Sequence, residues 1–124
     1  MVHVTTDAVR RRLKLSEEDI SDEDVMAFIE DSAAWIGEQI GETLDPENCS
    51  KGEHEAIANL AAIYSYCHVT GGTFTGTDFA LGDLNVKEHS RDLTAQLNFL
   101  KQQVERFIGS HENKPFGIVV SEGA

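Results

Sequence analysis

Between Thr5 and Ile40 the chain reads as a short basic helix, an acidic connection and a long amphipathic helix, and no other stretch limits the fold as much. The first piece, TTDAVRRRLKL, opens with Thr6 and Asp7 as capping candidates and runs into the polar SEEDISDED, which leaves room for only about three turns. A helix that short leans on something larger. The next segment supplies it, because Val25, Phe28, Ile29, Ser32, Ile36 and Ile40 recur at spacings of three and four and so share one side of a helix. We read Val4 to Leu15 as a short peripheral helix and Val25 to Ile40 as a bundle helix. Ser21 is the expected N-cap, with Asp22, Glu23 and Asp24 favoured there by the helix dipole. These carboxylates lack the alternating oxygen ligands and mid-loop glycine of a calcium loop.

The rest of the chain adds two more helices. After Gly41, the turn LDPENC with Pro46 breaks the pattern, and Ser50 followed three residues later by Glu53 forms a capping box for the next helix. Its stripe of Ala56, Ile57, Leu60, Ala61, Tyr64, Cys67 and His68 is rich in small residues, which lets a neighbouring helix come close. Gly71 and Gly72 end it. The segment 73–86, TFTGTDFALGDLNV, reads as a loop or short hairpin. Its Phe74, Phe79 and Leu81 either meet a partner or fold back over the helices. A last helix starts at Glu88 or Ser90 and ends at Ile108, with Leu93, Leu97, Leu100, Val104 and Phe107 as a near-heptad seam that suits packing within a bundle. Gly109 closes it. Residues 111–124 form an extended C-terminal tail in which Phe116, Ile118, Val119 and Val120 are β-prone, with no strand in a helical domain to pair with. Such a segment is either disordered or adds itself to another chain. The expected fold is therefore mainly α: a small four-helix bundle over residues 1–110, with an inserted loop and an extended tail.

Charge narrows the partners. With 22 acidic residues against 10 Lys plus Arg the formal net charge is -12, which repels duplex nucleic acid. Either the acid keeps the protein soluble in a salty interior, where the Debye length falls to about 3 Å at molar salt, or it lines a passage through which a polyanion slides. No apolar run is long enough to span a bilayer and the first residues have no signal-peptide core, so we expect a soluble, unexported chain with no membrane partner.

Chemistry-bearing motifs are sparse. Cys49 and Cys67 have neither CxxC spacing nor a paired framework, which points to reduced thiols. The five histidines, His3, His54, His68, His89 and His111, form no HxxxH or HExxH, and His68 reads as a core-edge residue beside Tyr64. No serine sits in a nucleophile elbow and no Gly-rich phosphate loop precedes a helix, so we expect no enzyme, cofactor or metal. Arg10, Arg11 and Arg12 fan out by about 100° per residue and cannot form one basic face. They are either solvated or salt-bridged, or they dock onto an acidic neighbouring subunit. Phe28 and Trp35, seven residues apart, flank the apolar stripe of the second helix and either belong to the core or reach past it to a partner.

In layout, VTTDAVRRRLKL followed by SDEDVMAFIEDSAAWIGEQIG, then EHEAIANLAAIYSY, a Gly-bearing loop and a final helix resembles the head-tail connector (adaptor) proteins of tailed viruses with long tails. The resemblance covers most of the chain and is one of apolar spacing without an invariant motif. It implies a helical virion protein at the head-tail junction, passing through the host cytoplasm during assembly. Copies would form a ring, typically of twelve subunits, beneath the portal protein. The ring would extend the DNA channel, let viral DNA pass without specific recognition, and dock a tail-completion or tail-tube protein. Together with the acidic balance it implies a virus of a halophilic archaeon. Members differ in the loop and the tail, so partner roles for Phe74, Phe79, Leu81 and Phe116 to Val120 come from the residues alone. The rival is a small acidic helical regulator of a haloarchaeal cell, binding one protein through the Leu93 to Phe107 seam.

Overall fold

Among the described residues four helices follow in order: α1 (Thr6–Leu13), α2 (Asp22–Ile40), α3 (Lys51–Thr70) and α4 (Arg91–Ser121). The structure is a computed structural model that describes the backbone of residues 1–70 and 91–121 and the side chains of residues 1–70 and 95–111. The mainly α, four-helix architecture is the expected one. The 73–86 loop lies outside the described residues.

Helix starts follow local capping chemistry. Ser21 caps α2 by accepting from the Asp24 N–H at 3.1 Å. Ser50 and Glu53 form the reciprocal box at α3, with the Ser50 N–H donating to Glu53 Oε1 at 2.9 Å and the Glu53 N–H donating to Ser50 Oγ at 3.1 Å. At α1 the cap is Thr5, whose Oγ1 accepts from the Ala8 N–H, and not Thr6 or Asp7. That helix is also about a turn shorter than expected, because Lys14 turns left-handed at φ 56° and the Leu15 N–H returns to the Arg10 carbonyl at 3.0 Å.

Nor is α1 peripheral. Ala8, Val9, Arg10 and Leu13 are buried, with α1 packed on α3. A strap ahead of it helps hold it there: the Val2 N–H reaches the Cys49 carbonyl at 2.8 Å, the Cys49 N–H reaches the Val2 carbonyl at 2.9 Å, and the Val4 N–H reaches the Pro46 carbonyl at 2.8 Å. The N-terminus is thereby tied to the turn between α2 and α3.

The core forms around α3. Every residue from Ala56 to Cys67 is buried, so the single stripe expected there widens to the whole circumference. A stripe serves one neighbour, whereas α3 packs against α1, α2 and α4 together. Ala56, Ala58, Ala61 and Ala62 let those helices approach, and Ile57, Leu60 and Ile63 fill the space between them. From α2 come Val25, Ile29 and Ile36, and from α4 come Leu97, Leu100 and Val104. The seam of α4 therefore faces inward, where the rival regulator reading needs it exposed.

α2 stops at Gly41, which sits at φ 75° so that the Glu42 N–H can bond the Gly37 carbonyl at 2.9 Å. The chain folds back so tightly that a Cβ on Gly37 would lie 2.4 Å from the Glu42 carbonyl oxygen. α4, by contrast, does not stop at Gly109 but stays helical to Ser121. One glycine costs a helix only about 1 kcal/mol, and an extended segment without a partner strand has no protein partners for its backbone N–H and C=O groups. Over 111–121 the C-terminal tail is thus a continuation of α4, although Pro115 takes one N–H out of the ladder.

Candidate functional site

The arginine trio separates as its helical spacing requires. Arg10 points into the junction between α1 and the acidic connection, with its side chain only 9% exposed. Its Nη1 donates to the Ser16 carbonyl at 2.7 Å, and its Nη2 donates to the Ile20 carbonyl at 2.8 Å and to Asp22 Oδ1 at 2.7 Å. Arg12 points to α3, donating from Nε to Asn59 Oδ1 at 2.7 Å and from Nη2 to Glu55 Oε1 at 2.7 Å, while Nη1 donates to the Ala8 carbonyl. Arg11 is exposed. Arg10 therefore leaves the set of partner-binding candidates, because burial and internal bonds from Nε, Nη1 and Nη2 hide it from any neighbour. Arg12 has its donors engaged within the chain, and only Arg11 projects into solvent.

Phe28 and Trp35 are both partly buried against the core. The Phe28 ring lies 6.0 Å from Tyr64 and 5.6 Å from the His68 imidazole, edge to face with the latter. His68 is exposed, its Nε2 3.7 Å from Asp24 Oδ2, at the core edge beside Tyr64. Phe74, Phe79 and Leu81 lie outside the described residues. Phe116, Ile118, Val119 and Val120 sit on helical backbone, with side chains outside the description. Strand addition by that segment would require its helix to unwind first.

Two surface features emerge that the sequence reading missed. Phe99 is 58% exposed, and no other Phe, Tyr or Trp among the described side chains is exposed. It shares one side of α4 with Gln103, Arg106 and Ser110, at spacings of four, three and four, and together they border a groove of about 660 Å³ between α1, α3 and α4. Arg106 has no ion-pair partner among the described residues. A signal for this face was present in the sequence, since Phe99 falls between Leu97 and Leu100 and therefore off the buried seam. The second feature is a hollow of about 680 Å³ between the C-terminal half of α2 and the turn that follows it, where Ala34 and Gly41 leave room beside Leu44 and Glu30, Glu38 and Glu42 supply carboxylates.

Burial holds the interior thiols and the Tyr64 phenol in their neutral forms. Burial pushes the Cys67 thiol up to about 11 and the Tyr64 phenol up to about 12, the latter helped by the Asp31 carboxylate. Cys49 is raised as well, by burial first and then by Glu53 and Asp45. Both thiols are free, buried and protonated at neutral pH, a state with little nucleophilic character. At the surface, Asp19 is lowered, chiefly by the Ser16 backbone N–H and then by its hydroxyl. Among the described residues no group of three or more His, Cys, Asp or Glu side chains is placed to hold a metal ion, and no helix is long and apolar enough to cross a membrane.

What the surface offers is shape and charge: an aromatic and cationic face on α4, and a small-residue, carboxylate-rimmed hollow on α2. Comparison of the chain with protein-family models, curated proteins and solved structures gives no match.

Proposed function

We propose that this chain is a structural subunit of a head-tail connector from a long-tailed virus of a halophilic archaeal host. In this reading copies of the chain form a homo-oligomeric ring, typically a dodecamer, below the portal protein. The ring extends the DNA channel, and its far side receives a tail-completion or tail-tube protein. The observation that carries the reading is the pair of unlike exposed faces, on α2 and α4, borne by one helical body. A ring built from identical subunits needs two different, complementary faces per subunit, because each contact is heterologous. The layout of the opening helices lends support, and the Arg10 bonds make α1, the acidic connection and α2 one connected unit.

The net charge of -12 suits the channel role, since acid facing a lumen keeps DNA mobile. No catalysis is assigned. The rival reading, a regulator binding through the α4 seam, is disfavoured because Leu97, Leu100 and Val104 are buried in the chain's own core. The test is to mix the protein with the portal ring encoded beside it and image the mixture by negative stain. A second ring stacked on the portal is expected. Portal rings that stay bare at every salt concentration from dilute buffer to molar KCl overturn the reading.

A further inference from the structure

We propose that the two exposed faces mate with each other: Phe99 of one copy seats in the α2 hollow of the next, and Arg106 meets that hollow's carboxylates. The inference rests on the ring reading above and adds the contact that forms each joint.

Three observations converge on it. An aromatic ring left 58% exposed is a poor surface residue and a good interface anchor, and aromatic and Arg side chains are enriched where proteins meet. The α2 hollow has the complementary form: Ala34 and Gly41 present no bulk, with nothing within 4 Å of a Cβ built on Gly41, and Leu44 supplies an apolar wall. Charge matches as well. In a chain with 22 acidic residues and 10 Lys plus Arg, Arg106 is a cation with no ion pair among the described residues, seven positions and two turns along α4 from Phe99. Glu30, Glu38 and Glu42 lie at the hollow with spacings of eight and four along α2 and its exit turn. An Arg two turns from the aromatic anchor thus has a carboxylate to meet on either side of the seat.

The joint is heterologous, since α4 of one copy meets α2 of another and leaves its own α2 free for a third. Propagation follows, and a suitable rotation closes it into a ring. Salt acts differently on its two parts. Screening weakens the Arg106 pairs at the rim, whereas apolar burial of Phe99 persists, so the phenyl group anchors the joint and the charges set its register.

Charge reversal tests this directly. Arg106→Glu and Glu38→Arg both fall on exposed positions, so each variant should keep the wild-type circular dichroism spectrum and melting curve. Each alone should weaken assembly about tenfold or more, read by sedimentation velocity of the full chain at high concentration and in the presence of portal rings. An equimolar mixture of the two variants should recover assembly. The carboxylate introduced at position 106 of one chain then faces the guanidinium introduced at position 38 of the other at alternate joints, while the native pair of Arg106 and Glu38 closes the rest. Phe99→Ser should abolish assembly in both settings and leave the fold intact. If the wild type assembles on the portal while all three variants assemble equally well, this contact is overturned and the ring reading stands. If the wild type stays monomeric both alone and with portal, both fall.

Discussion

Replacing Arg10 by Met isolates the contribution of a buried guanidinium, because Met keeps most of the apolar stem and removes only the donors. Three acceptors lose a bond, the Ser16 carbonyl, the Ile20 carbonyl and Asp22 Oδ1, although the Ser16 carbonyl keeps the Asp19 and Ile20 N–H groups at 3.1 and 3.2 Å. They are not equivalent. Ser16 is exposed and the Asp22 side chain is 57% exposed, so water can take over at both. Ile20 is only 4% exposed and its bond to Arg10 is buried, so its carbonyl is left without a partner at a penalty of about 1–3 kcal/mol. Loss of the half-exposed ion pair adds roughly 0.5–1 kcal/mol. The sum, about 1.5–4 kcal/mol, is a large share of the 5–15 kcal/mol typical of a domain and should be measurable without unfolding the protein. Asp22→Asn removes only the charge of an exposed partner and should lose no more than about 1 kcal/mol. Urea denaturation followed by far-UV circular dichroism reads both, with an unchanged m-value as the check that only stability moved. At roughly molar KCl, where the Debye length is about 3 Å, the Asp22→Asn loss should shrink and most of the Arg10→Met loss should remain. An Arg10→Met loss no larger than that of Asp22→Asn, or one that vanishes in salt, would refute the assignment of the stabilisation to the buried carbonyl bonds.

Gly37→Ala should destabilise by about 1–3 kcal/mol in a thermal melt although Ala is the better helix former, because the new Cβ would meet the Glu42 carbonyl oxygen at 2.4 Å; a raised Tm would show that the turn yields. The same change at two serines should have opposite signs. Ser50→Ala removes the cap at Glu53 and loses about 1 kcal/mol, whereas Ser65→Ala removes a buried hydroxyl with no hydrogen-bond partner among the described residues and should be neutral or stabilising by up to about 1 kcal/mol. At alkaline pH, the raised Cys67 pKa means that the fold favours the neutral thiol. Its contribution is complete below the unfolded value near 9.0 and is lost as pH climbs towards about 11, by at most about 3 kcal/mol. Stability of Cys67→Ala should therefore fall less steeply than that of wild type between pH 9.0 and 10.0, where Tyr64 and Cys49 contribute equally to both proteins; identical slopes would contradict the shift.

Much of the candidate site was not legible in the chain. The fan of Arg10, Arg11 and Arg12 follows from helical geometry, but nothing local says that Arg10 meets the Ile20 carbonyl or that Arg12 meets Asn59, 47 residues away. Phe99 was visible as a residue off the seam, yet its exposure depends on α1 and α3 stopping short of covering it. The Val2 to Cys49 bridge has no sequence pattern at all, being one pair of backbone bonds across 47 residues.

The opening helix pair shows where the division falls. Its helical character, the Ser21 cap, the turn at Gly41 and the Ser50 to Glu53 box were determined by sequence alone, because each rests on hydrogen bonds that close within a few residues and on apolar spacing along a single helix. The tertiary structure decided what surrounds each face. It buried the middle of α3, Ala56 to Cys67, on every side, turned the α4 seam inward, drew α1 from the periphery onto α3 and left Phe99 outside. Burial is a property of neighbours, and which helices become neighbours is settled by packing between segments far apart in the chain.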